Sequence, residues 1–311
     1  MPSDTRHEEA RSQELRRRAA RRSDALLRGA SVFGALIAAA LAWWIAAWLV
    51  RESAPSLAAV GIGGFLRDAR WNPAGGEFGL LPMVATSVTV AVGALLLALP
   101  LALATALFLL GYAPPALGSA MRLLLDLLAA VPSVVVGFFG LIVLVPWLAR
   151  IAPPGASLLA GILVLALMVL PTLAVMVEAA LAAMPAAERS AAAALGLSRA
   201  TVLLALALPR ARRGVAAAAL VALGRALGET MAVVMVCGNV VQWPAGLLLP
   251  VRTLTANVAL EMAYASGTHR GALFVSGLLL LLSTAVLVVA AAWRGGGAAN
   301  PERRAAGAVG A

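Results

Sequence analysis

The sequence predicts an all-α membrane protein with six spanning helices. Three observations carry that expectation. Of 311 residues, 62% are hydrophobic and 12% charged, with a mean hydropathy of +0.95, whereas a soluble domain carries about 25% charged residues. The apolar residues gather in runs of about 20 or more, the length that a hydrocarbon core of about 30 Å requires. Arginine density alternates between the segments that join these runs, as it does between the two faces of a membrane protein.

The first span covers residues 29–50, without a charge, and carries Trp43, Trp44 and Trp48 toward one end, where an indole anchors at the interface. From Phe78 to Met121 no residue is charged; this stretch holds a second span over 83–110 and the turn Gly111-Tyr112-Ala113-Pro114-Pro115. The third span covers 123–148, the fourth 157–183, the fifth 214–238 and the sixth 271–293. Pro100, Pro132 and Pro171 fall inside the second, third and fourth spans. Each removes a backbone donor and is expected to kink or break its helix. Membrane helices tolerate this where neighbours or water satisfy the freed carbonyl, so three such prolines suggest a bundle built around a path or a gate.

With the N-terminus on the cytoplasmic side, the inner segments hold 17 arginines and the outer ones 6, with Arg225 left in the membrane. That asymmetry puts both termini inside. The expected organisation is a basic cytoplasmic tail over 1–28, a spanning domain over 29–294 and a cytoplasmic tail over 295–311, both tails disordered or bound to the membrane surface. The net charge of +10 is therefore a topology signal, not a nucleic-acid footprint, since no aromatics interleave with the arginines. The chain contains no lysine, which excludes a Walker A phosphate loop and Schiff-base chemistry. The single Cys237 cannot form an internal disulfide, and His7 and His269 flank no ligand cluster, so no metal site is expected. The charged N-terminal region is too long for a cleavable signal peptide.

Arg225 and Glu229 lie near the middle of the fifth span, in Gly224-Arg-Ala-Leu-Gly-Glu-Thr-Met-Ala-Val233. A charge at the centre of a spanning helix costs about 2.5 to 3.5 kcal/mol on insertion scales, so such residues pair with each other or line a pathway. Continuous helix would put them four residues apart on one face. Two readings stand: a mutually neutralised pair in the bundle interior, or a cationic pathway wall that attracts anions.

The loop over 184–213 is the only long inner connection, and reads Ser190-Ala191-Ala192-Ala-Ala-Leu-Gly196, then after nine residues Leu206-Ala-Leu208-Pro209. It resembles the EAA loop of ABC importer permeases, whose pattern is Glu-Ala-Ala, three residues, Gly, nine residues, Ile, one residue, Leu, Pro. Gly196, Leu206, Leu208 and Pro209 fall at the required spacings, with Leu206 in place of Ile and Ser190 in place of Glu. Glu188, two residues earlier, is about 200° around a helix and cannot stand in. The pattern is expected to make a helix with small alanines that docks in a partner's groove, a glycine turn, and a second helix stopped by Pro209.

With that loop in place, residues 65–293 resemble one family, the PstC-type permease of the bacterial phosphate ABC importer. The resemblance rests on Trp71-Asn72-Pro73 with Phe78-Gly79-Leu80-Leu81-Pro82, on Val131-Pro132-Ser133-Val134-Val135-Val136-Gly137-Phe138, on Arg225 to Val233, and on Leu260-Glu261-Met262. The companion PstA-type chains typically continue Gly-Glu-Thr with Ala-Pro-Leu, where this chain has Met231-Ala232-Val233. The resemblance implies a type I ABC importer transmembrane domain with cytoplasmic coupling helices in the bacterial inner membrane. It further implies a PstA-like permease beside it, a PstB-like ATPase dimer that binds ATP and Mg beneath it, and a PstS-like periplasmic phosphate-binding protein that docks on outer loops 51–80 and 239–270. This chain would itself be no enzyme and hold no cofactor. Arg225, Glu229 and Thr230 would line the pathway, and residues 186–209 would transmit the ATPase's work.

A permease for another oxyanion, such as phosphonate or molybdate, is the nearest alternative. A secondary transporter would show coupling-ion residues and internal repeats, and no clear repeat is present; a membrane scaffold or sensor without transport is the third. An ATPase and a periplasmic binding protein encoded beside this chain would separate the three. Topology has its own test. A cysteine placed near Gly75 is expected to react with an impermeant thiol reagent in intact cells, while cysteines in 1–28 or 184–213 stay protected; labelling of the tail from outside would overturn the orientation.

Overall fold

The computed structural model of the chain describes residues 3–67 and 69–295, with side chains over 27–66 and 69–290. The chain divides into two compact units, Met1–Arg51 and Glu52–Ala311. Helix α1 runs Ser3–Arg67, so residues 3–28, expected as a disordered or surface-bound tail, are helical. Its apolar part, Leu27–Leu66, is 40 residues long and passes through Pro55, well beyond the expected end at Val50. Much of the expected outer loop 51–80 is therefore helix; Gly61, at φ 74° and ψ 155°, is where the helical geometry is interrupted. The expected C-terminal tail, with Arg303 and Arg304, lies outside the described residues apart from Gly295.

In the second unit a small hairpin pairs β1 (Trp71–Asn72) with β2 (Glu77–Phe78) and leads into helix α2 (Leu81–Gly111). Then come α3 (Pro115–Ala130), α4 (Ser133–Phe139), a π-helical turn over Gly140–Leu144, α5 (Val145–Ala149) and α6 (Leu158–Ala182). The loop after α6 holds α7 (Ala186–Ala194) and α8 (Arg199–Thr201), then a second π turn over Val202–Ala207. The chain continues as α9 (Leu208–Gly228), α10 (Met231–Val236), α11 (Leu254–Glu261) and α12 (Gly267–Gly295). The core centres on α2 against α6. Ala91, Ala94, Ala98, Ala102 and Ala106 are fully buried on α2, and such small residues let membrane helices approach closely enough for backbone-to-backbone packing.

Among the described residues, four helices are long and apolar enough to cross a bilayer: Leu27–Leu66, Leu81–Gly111, Leu158–Ala182 and Gly267–Ala290. The segments Pro115–Ala130 and Ser133–Ala149, bent by 94°, make a fifth if counted as one. The expected third span is this bent pair. Val131 is extended (φ −64°, ψ 127°) because a residue before proline is pushed out of the helical region, and Asp126 sits exposed on α3 within the expected span. The expected fifth span, 214–238, is not one helix either, since α9 stops at Gly228 and α10 begins at Met231.

Of the three prolines expected to kink or break spans, Pro132 alone ends a helix; α2 continues through Pro100 and α6 through Pro171. Pro209 does not stop a helix either. The π turn before it widens the backbone spiral, with the Leu208 N–H donating to Leu203 O five residues back, and α9 then runs on with proline in its first turn. The same device recurs before Pro146, where the Val145 N–H donates to Gly140 O. A π turn absorbs the missing donor and the ring clash that a proline brings to a regular helix.

Close glycine contacts hold α4 and α5 to the bundle. A Cβ on Gly137 would lie 2.7 Å from the Cα of Ala232 in α10. That neighbour is backbone and cannot swing aside. Gly137→Val is therefore expected to destabilise the folded chain by about 1 to 3 kcal/mol, the range for overpacking a close interface, read as a lowered melting temperature in detergent. An unchanged melting temperature would show that α4 can move off α10 freely.

Candidate functional site

Arg225 occupies the last turn of α9, and Gly228 ends that helix. Glu229 is extended (φ −69°, ψ 131°), Thr230 follows at φ −117°, and α10 starts afresh. The helical period is thus broken between Arg225 and Glu229, so the four-residue spacing does not put them on a shared face. Among the described residues the two form no salt bridge with each other, which removes the reading as a mutually neutralised pair. Arg225 is exposed on this chain, and its Nη1 reaches Thr172 Oγ1 of α6 at 3.4 Å, a weak bond.

Glu229 takes a different part. Its Oε1 accepts the Ala232 N–H at 3.3 Å, satisfying one of the donors that the start of α10 leaves unpaired. Its own carbonyl accepts from Thr255 Oγ1 at 2.8 Å, and Thr230 Oγ1 donates to Gly228 O at 3.3 Å. Thr255 belongs to α11, whose first turn is fixed in turn: the Leu254 N–H donates to Ser87 Oγ of α2 at 2.9 Å, and the Ala256 N–H to Thr253 Oγ1 at 3.2 Å. The break is held from α2 and α11 together. α10 itself is sealed by Ala232, Val233, Val236 and Cys237, all buried.

The loop over 184–213 forms a second site. Helix α7 ends in a Schellman turn: Gly196 sits at φ +70°, its N–H donates to Ala193 O at 3.0 Å, and the Leu197 N–H donates to Ala192 O at 3.1 Å. A Cβ on Gly196 would meet nothing within 4 Å. Within this chain the need for glycine is therefore one of backbone angle and not of side-chain bulk. Ser198 caps α8 by accepting the Thr201 N–H at 3.1 Å. Ser190 and Ala191 are exposed on α7 while Ala192 is buried, and Leu206, Leu208 and Pro209 follow at the π turn. Glu188, which the spacing excludes as a docking residue, pairs with Arg210 at 2.7 Å and ties α7 to α9.

The sequence did not point to a third assembly. Glu261 accepts Arg252 Nη1 at 2.6 Å and Trp71 Nε1 at 2.9 Å, and its Oε2 lies 2.9 Å from His269 Nε2. Arg252 also donates to Asn257 Oδ1 at 3.0 Å and to the carbonyl of Asn239, a residue at φ 57°. Two of the quoted motifs, Trp71-Asn72-Pro73 and Leu260-Glu261-Met262, thus meet in one hydrogen-bonded cluster. Their separation along the chain hid the contact; the acid in one motif and the indole in the other were the available signal.

A family model described as "Binding-protein-dependent transport system inner membrane component" matches residues 98–294. The phosphate transport system permease protein PstC of Xylella fastidiosa is 33% identical over 236 residues, covering 69% of this chain and 73% of that one. This chain belongs to that family of inner membrane components, as a PstC-type permease. The PstC of Pasteurella multocida is also 33% identical, over 69% of this chain and 74% of that one. A probable ABC transporter permease of Bacillus subtilis, YqgH, is 35% identical over 65% and 67%. A solved structure of the inward-facing MetNI methionine ABC transporter matches with a TM-score of 0.49 at 20% identity, over 68% of this chain and 94% of that chain. For a PstC-type permease the break at 228–230 falls inside the matched region, as do the whole of α7 and Gly196.

The glycine turn has a test that separates angle from bulk. Gly196→Val is expected to open the turn, since a non-glycine residue in the left-handed region costs about 1 to 2 kcal/mol, and to speed tryptic cleavage at Arg189 and Arg199. Gly196→Asn should keep cleavage near the parent rate, because asparagine tolerates that region. Equal cleavage of the two variants would contradict the backbone account.

Proposed function

We propose that this permease carries inorganic phosphate across the bacterial inner membrane as one of two permease chains in an ATP-driven importer. The observation that carries the reading is Arg225: a guanidinium beside the helix break of the expected fifth span, with no carboxylate in salt-bridge distance among the described residues. Such a charge is costly where nothing uses it, and it offers electrostatic attraction to an oxyanion. The relatives named as phosphate permeases support the choice of anion.

In this reading a PstA-like chain closes the pathway, a PstS-like protein delivers phosphate on the outer side, and both termini face the cytoplasm. A PstB-like ATPase dimer binds ATP and Mg and works on Ser190, Ala191, Ala192 and the Gly196 turn, while this chain hydrolyses nothing. Phosphate passes Arg225 and Thr230. Glu229 brings an opposing charge to the same break while its Oε1 holds the start of α10, so the anion is attracted without being trapped; conduction demands binding weak enough to release. Ser190, in place of an acidic residue, leaves the α7 docking face uncharged at that position.

Glutamine substitutions separate charge from architecture. Arg225→Gln is expected to lower labelled-phosphate uptake by the reconstituted complex at least about tenfold, the scale of losing one charge-assisted hydrogen bond, with assembly intact. Glu229→Gln keeps an amide oxygen for the Ala232 N–H, so α10 should still form while uptake falls. The decisive variant carries both changes. An assembled, inactive double variant supports the pathway role, and normal uptake by it would refute that role. Competition by phosphonate or molybdate stronger than by phosphate would reassign the substrate.

A further inference from the structure

A cavity of about 500 Å³ opens where the ends of α2 and α6 meet the 184–213 loop, lined among others by Leu110, Leu181, Met184, Leu203, Arg189 and Arg199. Its walls are apolar and its charges are both positive. Arg199 Nη1 donates to the Gly111 carbonyl at 3.1 Å, and among the described residues neither Arg189 nor Arg199 has a carboxylate in salt-bridge distance. Two other arginines of this end are neutralised: Arg122 bonds Glu178 through Nε at 3.0 Å and Nη2 at 2.7 Å, and Arg210 bonds Glu188 at 2.7 Å, while Arg212 and Arg213 of α9 do not line the cavity. The cavity thus carries two charges without a carboxylate partner among the described residues.

We propose that this cavity binds an anionic phospholipid, with the headgroup phosphate between Arg189 and Arg199 and part of one acyl chain along Leu110, Leu181, Met184 and Leu203. Two observations select a lipid over a soluble anion. A small anion has no use for a wall of leucine, methionine and valine. The cavity lies at the ends of α2 and α6, both long and apolar enough to cross the bilayer, and so at headgroup depth. On α7, Arg189 and Ala193 line it, and the coupling motif's Ser190 lies about 100° and 60° from them around the helix. A lipid here would sit behind α7 and hold it against the bundle.

The test uses the assembled complex in detergent, titrated with phosphatidylglycerol or phosphatidylcholine and read by native mass spectrometry. Phosphatidylglycerol should be retained in preference, and the Arg189→Ala, Arg199→Ala double variant should lose about thirtyfold of that preference, at the worth of one cationic side chain near an anionic headgroup taken twice. Leu203→Trp, which fills the apolar floor and keeps both charges, should also lose the lipid, and Arg210→Ala should keep it. Equal retention of the two lipids, or retention by both pocket variants, would overturn the proposal. Displacement by inorganic phosphate would make this a soluble-anion site, and lipid binding seen only after the ATPase is stripped away would give the cavity to the protein partner; either result refutes it.

Discussion

Every irregular stretch of backbone in this fold is governed by one constraint: a peptide group in apolar surroundings must find its hydrogen bond within the protein. The break at Gly228-Glu229-Thr230 meets it by exchange. The Ala232 N–H finds Glu229 Oε1, the Glu229 carbonyl finds Thr255 Oγ1, and the Leu254 N–H finds Ser87 Oγ. The start of α6 meets it with a loop, for the Leu158 and Leu159 N–H groups donate to the carbonyls of Leu249 and Leu247 at 3.0 and 2.7 Å. Because these bonds join segments far apart in sequence, they fix the tertiary arrangement and satisfy the local backbone in one step.

The same constraint explains what the sequence revealed and what it concealed. Gly196 was legible because a Schellman turn requires the left-handed region, and the glycine falls at the motif's fixed spacing. Pro132 was legible because it restricts the residue before it. Pro209 was misread because the damage a proline does depends on how its neighbours reroute one hydrogen bond, and that is not written at the proline. A π turn at Val202–Ala207 rescues the helix at Pro209. The division between α9 and α10 was missed because residues 214–238 contain no proline and read as one apolar run, while the side chain that starts α10 is the glutamate that looked like half of an ion pair.

Burial was harder still to foresee. Glu261 is 7% exposed and bonded to Arg252, Trp71 and His269, partners drawn from the β1 strand, the loop before α11 and α12. A buried carboxylate needs such a set, since losing one partner of a buried ion pair costs about 3 to 5 kcal/mol. The apolar period of a helix says which face turns inward, but not which acid on that face has found a counter-charge elsewhere.

The carbonyls of Leu247 and Leu249 that close the start of α6 make that helix and the 237–251 loop one mechanical part. The rod runs from Leu158 to Ala182, about 37 Å at the rise of an α-helix, and only residues 183–185 stand between its far end and α7. A push on the loop cannot be absorbed at the joint without unpairing two backbone donors. It travels along the axis, and the three-residue link ahead of α7 is the first place with slack.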